Sequence, residues 1–214
     1  MKVLIACEFS GIVREEFKKL GHDAWSCDLL PTEIPGNHYQ GDIFEFLDKD
    51  MSWDLMIAHP PCTYLSNAGI GWFNIEKYGE KARIRHLKRF EAFGFVMKLA
   101  HLKIPKIAIE NPVGYLNRFW RKPDQIIQPY QFGNKESKRT CLWLNNLPLL
   151  KPTEIVTPKI YGYYKKGKKK GLPIYGNSYL PFSEDRWKLR SKTFPGIARA
   201  MADQWSMAEQ WGRL

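Results

Sequence analysis

The sequence predicts an α/β protein: a mostly parallel sheet with helices on both faces and a small basic insert late in the chain. Three observations predict it. Short β-rich apolar runs alternate with segments of helical period through the first half. Two of those runs, in "WDLMIAHPPC" and "KIAIENP", stop at proline, which fixes φ and removes a backbone donor. Beyond residue 120 the alternation gives way to strand-like runs without a long helix between them, and then to a lysine-rich tract.

Taken in order, "KVLIAC" (2–7) is a strand. In "GIVREEFKKLGH" Ile12, Val13, Phe17 and Leu20 form one helical stripe, with a Glu15–Lys19 pair and Gly21 as the cap. "DAWSCDLL" and "WDLMIAH" are the next strands. A long amphipathic helix is expected within 79–103, where Leu87, Phe90, Phe93, Phe95, Val96, Leu99 and Leu102 recur at helical spacing. "KIAIENP" is a strand, and "QIIQPYQF" and "TCLWLNNLPLL" read as two more. Residues 151–187, with eight basic and three acidic side chains, show no sustained period. "TFPGIARAMADQWSMAEQW" closes the chain as a helix, with Pro195 in its first turn and Ile197, Met201 and Trp205 on one face.

Composition bounds the function. A chain of 214 residues builds one well-buried domain, or one with a small appendage. No apolar run approaches the roughly 18 residues of a membrane span, and the apolar start is too short for a signal peptide, so no membrane association is expected. Cys7, Cys27, Cys62 and Cys141 are widely spaced and form no CxxC pair. This argues against a metal site or disulfide framework and for a reducing cytoplasm. A net charge of +11 and a pI near 9.4 favour a polyanionic partner, with nucleic acid first.

The chemistry-bearing residues collect at strand ends. "CEFSGI" places Gly11 where a strand enters a helix and a backbone can approach a ligand closely. Asp28 ends the second strand, where nucleotide-binding α/β folds put a carboxylate on ribose hydroxyls, and "GDIFEFL" adds Asp42. In this order, before a Pro-Pro loop, they point to an adenosine-containing ligand; without GxGxxG, a nicotinamide or flavin is disfavoured. Cys62 follows the two prolines on a stiffened loop, and Glu110 ends "KIAI" on a neighbouring strand.

The series "FSGI", Asp28, "GDI", "HPPC", "ENP" and "RSKTFPGIARAMADQW" resembles the cytosine carbon-5 DNA methyltransferases, in particular the compact ones of phages and prophages. The resemblance spans nearly the whole chain, in the family's motif order. Amino-methyltransferases instead carry Asp/Asn-Pro-Pro-Tyr/Phe at that loop, and His59 and Cys62 replace both ends of that pattern. Val13, Thr63 and the proline after Glu-Asn depart from the family's usual residues.

The resemblance implies a Rossmann-like S-adenosylmethionine-dependent methyltransferase sheet. Residues 1–150 would be the catalytic core, 151–187 a small basic target-recognition insert, and 188–214 a segment returning to the core. Cys62 would be the nucleophile that adds to carbon 6 of cytosine, as suits a residue with appreciable thiolate near neutral pH. Glu110 would engage N3 and the exocyclic amine while protonated or sharing a proton, a state that burial favours. Asn111 and Pro112 would hold the loop. Arg139 would contact the cytosine O2 or the backbone, with Lys138 on a phosphate. Phe9, Ser10, Gly11, Asp28, Asp42, Ile43 and Pro60 would surround S-adenosylmethionine, Asp28 at the ribose and Asp42 at the adenine amine.

The partner implied is double-stranded DNA with its target cytosine flipped out, bound by a monomer in a bacterial or phage-infected cell. Lys165, Lys166, Lys168, Lys169 and Lys170 would track phosphates; with Lys159 they make six lysines between 159 and 170, interleaved with Tyr161, Tyr163 and Tyr164. Two other readings fit the same residues: cytosine carbon-5 methylation of RNA, and a nucleic-acid-binding protein that keeps the fold without catalysis.

Overall fold

The computed structural model describes residues 1–49, 52–175 and 183–207. Seven of its strands form one sheet: β1 (Lys2–Ala6), β2 (Asp23–Asp28), β3 (His38–Gln40), β4 (Leu55–Ala58), β5 (Lys106–Pro112), β6 (Gln125–Ile127) and β7 (Thr140–Asn145). Their order is β3-β2-β1-β4-β5-β7-β6. The pairs from β3 to β5 are parallel, while β7 runs antiparallel to both β5 and β6. This is a mixed α/β architecture with a mostly parallel sheet, consistent with a Rossmann-like fold.

The helices are α1 (Ile12–Lys19), α2 (Ile43–Leu47), α3 (Ile75–Tyr78), α4 (Glu80–Ala100), α5 (Tyr115–Phe119), α6 (Arg186–Ser191) and α7 (Pro195–Met207). Alternation along the strands sorts them between the two faces. Val3, Ile5, Ile57 and Leu142 pack with Val13 and Phe17 of α1 and with Ile197, Met201 and Trp205 of α7. Leu4, Met56, Ile109 and Trp143 pack on the other side with Ile43 of α2, Val96 and Leu99 of α4, and Leu116 of α5. Both faces of the sheet are covered, which is why its strands read as continuous apolar runs.

Local chemistry sets the boundaries. Helix α1 ends in a Schellman arrangement: Gly21, at φ +80°, donates to the Lys18 carbonyl, and His22 N–H reaches the Phe17 carbonyl. The expected Glu15–Lys19 pair does not form. Lys19 pairs with Glu16 at 2.6 Å, and Glu15 is held by the buried Arg14.

Helix α4 falls within the expected span, but Leu87 and Phe90 are each 63% exposed. Its N-terminal half packs on α3 and on the 3-10 turn Asn67–Phe73 rather than on the sheet, so the first part of the apolar stripe never reaches the core. The run 125–132 becomes a three-residue strand and a 3-10 turn at Pro129–Gln131. β3, α2, α3 and α5 have no counterpart in the sequence-based reading, because three to five residues are too few to display a period.

The basic tract contains a hairpin, β8 (Ile160–Tyr163) and β9 (Pro173–Tyr175), paired antiparallel apart from the main sheet. Gly171 N–H donates to the Tyr164 carbonyl at 2.9 Å and Tyr164 N–H to that of Leu172 at 3.0 Å. Lys165, Lys166, Lys168, Lys169 and Lys170 are all exposed on the connection. At the base, Lys159 N–H donates to the Lys135 carbonyl at 2.8 Å and the Tyr161 hydroxyl to Glu136 Oε1 at 3.2 Å. The remainder of the tract, 176–182, and the end of the expected last helix lie outside the described residues. No helix among the described residues is long and apolar enough to cross a membrane.

Candidate active site

β1 lies between β2 and β4, so the chain departs from it in both directions and a crevice opens at the carboxyl edge. Three connections meet there: residues 7–11 after β1, residues 59–62 after β4, and Glu110 within the last turn of β5.

The loop of Cys62 is fixed from several sides. His59 N–H donates to the Ala6 carbonyl at 2.9 Å, and the buried Asn111 donates its side-chain amide to the Pro60 carbonyl at 2.8 Å. Beyond the cysteine, Leu65 and Ser66 donate to the Cys62 carbonyl at 3.0 and 2.9 Å, closing a turn. Tyr115 N–H meets the Leu65 carbonyl at 2.7 Å; a Cβ on Gly114 would stand 2.0 Å from that carbonyl oxygen, so only glycine permits the approach. From α4 the buried Arg89 donates to the Tyr64 carbonyl at 3.0 Å while its guanidinium lies 3.2 Å from the centre of the Phe73 ring. Cys62 itself is exposed, whereas Cys27 and Cys141 are buried.

Glu110 accepts from His59: Nδ1 lies 3.2 Å from Oε2, both side chains being largely buried. Burial alone would push the carboxyl up, as the sequence led one to expect. The His59 hydrogen bond, with the charges of Lys138 and His59, outweighs it and holds Glu110 below the usual carboxylate range. In the absence of substrate these partners favour the ionised form of Glu110. Crowding by protein first, and Glu110 second, push the Cys62 thiol up, against the opposing pull of Lys138 and Arg190.

The basic pair before β7 is split by strand alternation. Lys138 shares a cleft with Glu110, Thr140 and Phe194, and its ammonium donates to the Arg190 carbonyl at 2.9 Å. Arg139 is exposed and acts on the Cys141 thiol instead. The cation beside Cys62 and Glu110 is thus Lys138 and not Arg139. Arg190, on α6, joins it; it opens the segment "RSKTFPGIARAMADQW" but was given no role in the sequence-based reading.

The cofactor-side residues share one end of β1 and β2. Phe9 is buried, its ring 6.3 Å from that of Trp187 on α6. Ser10 is buried and donates to Glu8 Oε1 at 3.1 Å. Glu8 also accepts from Val13 N–H at 2.7 Å and Arg14 N–H at 3.3 Å. The first-turn amides of α1 are therefore capped by a buried carboxylate that the sequence-based reading passed over, and burial pushes that carboxyl up. Gly11 sits at φ +74°, and a Cβ there would be 2.7 Å from Arg14 Nη2, so its glycine answers to the chain's own packing.

Asp28 is half-buried, accepts from Leu30 N–H at 2.9 Å, and is pushed up by burial. Asp42 Oδ1 caps α2 through Phe44 N–H at 2.7 Å and Glu45 N–H at 3.4 Å. The Ile43 side chain is spent in the core.

The sequence matches no protein-family model. It matches no curated protein.

Proposed function

We propose that the protein transfers a methyl group from S-adenosylmethionine to carbon 5 of cytosine in DNA. One observation carries the reading. A cysteine behind two prolines and a glutamate stand at the carboxyl ends of the adjacent parallel strands β4 and β5, close enough that Glu110 perturbs the Cys62 thiol, and Lys138 acts on both. That pairing suits addition of sulfur to carbon 6 of a pyrimidine while N3 is engaged by a carboxyl group. Lys138 and Arg190 favour the thiolate as the proton leaves, and the braced 59–66 loop keeps sulfur from wandering.

The donor set also fits the cofactor. Asp28 and Asp42 supply acceptor oxygens for hydroxyl and amine donors, at one end of β2 and just after β3. Asp28 would hold the ribose, Asp42 the adenine amine, and Phe9, Ser10, Gly11 and Pro60 would border the group. When bound, S-adenosylmethionine supplies an electrophilic methyl group.

DNA is favoured as substrate by the exposed lysines of the β8–β9 connection and the net charge of +11. The test is covalent trapping. Duplex DNA containing 5-fluorocytosine should capture the wild-type protein in a denaturation-resistant adduct when S-adenosylmethionine is present, because fluorine cannot leave as a proton does. Cys62→Ala should form none. An adduct with that variant, or methylated nucleosides found only in treated RNA, would overturn the assignment to DNA chemistry at Cys62.

A further inference from the structure

His59 has no place in the reading so far, yet it is the residue most closely bound to Glu110. Its side chain is only 7% exposed; Nδ1 is 3.2 Å from Glu110 Oε2, and the buried Nε2 has no hydrogen-bond partner among the described residues. From the end of β1 the buried Glu8 carboxylate feels the charge of the same imidazole. Glu110 is faced in addition by Lys138, from the segment before β7, and Cys62 by Glu110, Lys138 and Arg190. One imidazole is thus hydrogen-bonded to one buried carboxyl group and within electrostatic reach of a second, and its second nitrogen is shielded from water.

We propose that His59 holds the proton that Glu110 delivers to N3 of the target cytosine, acting through Glu110 and not on the base itself. The inference rests on the methyltransferase reading above. It resolves a conflict within that reading: the chemistry needs a protonated carboxyl, while the resting site keeps Glu110 ionised.

The step balances. As the bond from Cys62 Sγ to carbon 6 forms, the ring's conjugated electron pair moves to N3, which takes a proton from Glu110. Glu110 takes the proton from His59 Nδ1 along the existing hydrogen bond. When carbon 5 attacks the methyl group, the enamine pair forms the new carbon–carbon bond, the N3 lone pair restores the C4–N3 double bond and the N3 proton goes back by the same path. Sulfur then leaves with the electrons of its bond to carbon 6 as water takes the carbon 5 proton and that C–H pair becomes the C5–C6 double bond. No net proton is consumed by the relay, and no solvent need enter it.

Geometry also supplies a discriminating variant. In His59→Asn the side-chain amide can occupy the Nδ1 position and donate to Glu110, but it cannot ionise. If His59 only positions Glu110, this variant loses a charge that holds Glu110 below the usual range, so Glu110 protonates more readily and methyl transfer at pH 8 is no slower than in the wild type. If His59 holds the proton, Glu110 in the variant must be protonated from bulk water. Methyl transfer in a single turnover on cytosine-containing duplex DNA should then fall at least about tenfold at pH 8 and recover as the pH is lowered.

Proton and nitrogen NMR of labelled protein gives a second readout that needs no turnover. In the wild type His59 Nδ1 should carry a proton shared with Glu110, seen as a hydrogen-bonded N–H signal that is displaced in Glu110→Gln. An Nδ1 signal unchanged in Glu110→Gln, or an Asn variant no slower than the wild type at pH 8, would each overturn the inference. A wild-type protein that methylates neither DNA nor RNA would overturn the functional reading and this inference together, an outcome told apart from the others by the wild-type assay alone.

Discussion

The Asn111 side-chain amide donates to the Pro60 carbonyl at 2.8 Å, tying the strand that carries Glu110 to the loop that carries Cys62. Asn111 is buried, so its loss strands the Pro60 acceptor away from water. Asn111→Ala should cost about 1–3 kcal/mol of stability by urea unfolding. Methyl transfer should suffer more, about a hundredfold, because a misplacement on the order of 1 Å between reacting groups is amplified in rate. Full activity at reduced stability would mean that the loop is held in place without this bond.

Gly114 makes the same connection by steric means. A Cβ there would lie 2.0 Å from the Leu65 carbonyl oxygen, backbone against backbone, at the Ser66–Gly114 bridge. Gly114→Ala should push the turn after Cys62 away from α5 and lower activity with little change in cofactor affinity. The reading of Gly114 as a spacer fails if calorimetry shows both unchanged and kcat is that of the wild type.

The thiol offers a test that needs no substrate. Cys62 is the exposed cysteine, so iodoacetamide should alkylate it first, at a rate that tracks its thiolate. Crowding and Glu110 raise the thiol, so half-maximal reactivity should come above pH 9.0. Lys138→Met removes a cation that favours thiolate and should move the curve to higher pH. Glu110→Gln removes an anion that opposes it and should move the curve down. Curves that coincide would show that neither charge reaches the sulfur.

Asp42 has two tasks that substitution can separate. Its Oδ1 caps α2, and the reading above also assigns it to the adenine amine. Asp42→Ala should therefore lose about 0.5–2 kcal/mol of stability as well as cofactor affinity. Asp42→Asn keeps a capping oxygen, so its melting temperature should hold while affinity for S-adenosylmethionine falls. Calorimetry that finds equal affinity in Asp42→Asn would move the adenine elsewhere.

What could be read from the sequence depended on whether a physical constraint left a mark in the local pattern. The strand Lys106–Pro112 coincides with "KIAIENP" because an apolar β-rich run meets a residue that ends it. Leu87 and Phe90 misled because a helical period records that a face is apolar, not that anything covers it. Lys138 and Arg139 were ambiguous because adjacent basic residues look alike until the register is known. The pairing of Glu110 with Leu142 puts Thr140 on the cleft side, and Lys138, two residues ahead of it and outside the strand, lines the same cleft. That spacing was already present in "KRTCLWL", where every second side chain shares a face. His59 left no such mark, since it works through a partner on a different strand, and Glu8 was passed over although the amides it caps lie only five and six residues on. Arg190 reaches Cys62 only through the path of a six-residue helix.

The lysine connection bears on specificity. The hairpin that carries it is small, with strands of four and three residues, and its base is bonded to Lys135 and Glu136, just ahead of Lys138. Discriminating a base pair takes a well-placed side-chain pair worth about 1–3 kcal/mol, held by rigid support. Five exposed lysines beside Gly167 and Gly171, both at positive φ, offer charge and reach more than fixed geometry. The target should therefore be a cytosine in a context of at most two or three positions. Binding should weaken steeply with salt, since each neutralised phosphate contributes about 0.9 to the log–log slope on duplex DNA. Replacing Lys165, Lys166, Lys168, Lys169 and Lys170 together by glutamine should weaken binding by a similar factor on unrelated duplexes and flatten that slope. The melting temperature should hold, because the side chains replaced are exposed. Bisulfite sequencing of genomic DNA methylated by the wild-type protein gives the context directly. A strict site of four or more defined bases, or a salt slope untouched by the substitutions, would show that the lysines are bystanders and that another surface reads the DNA.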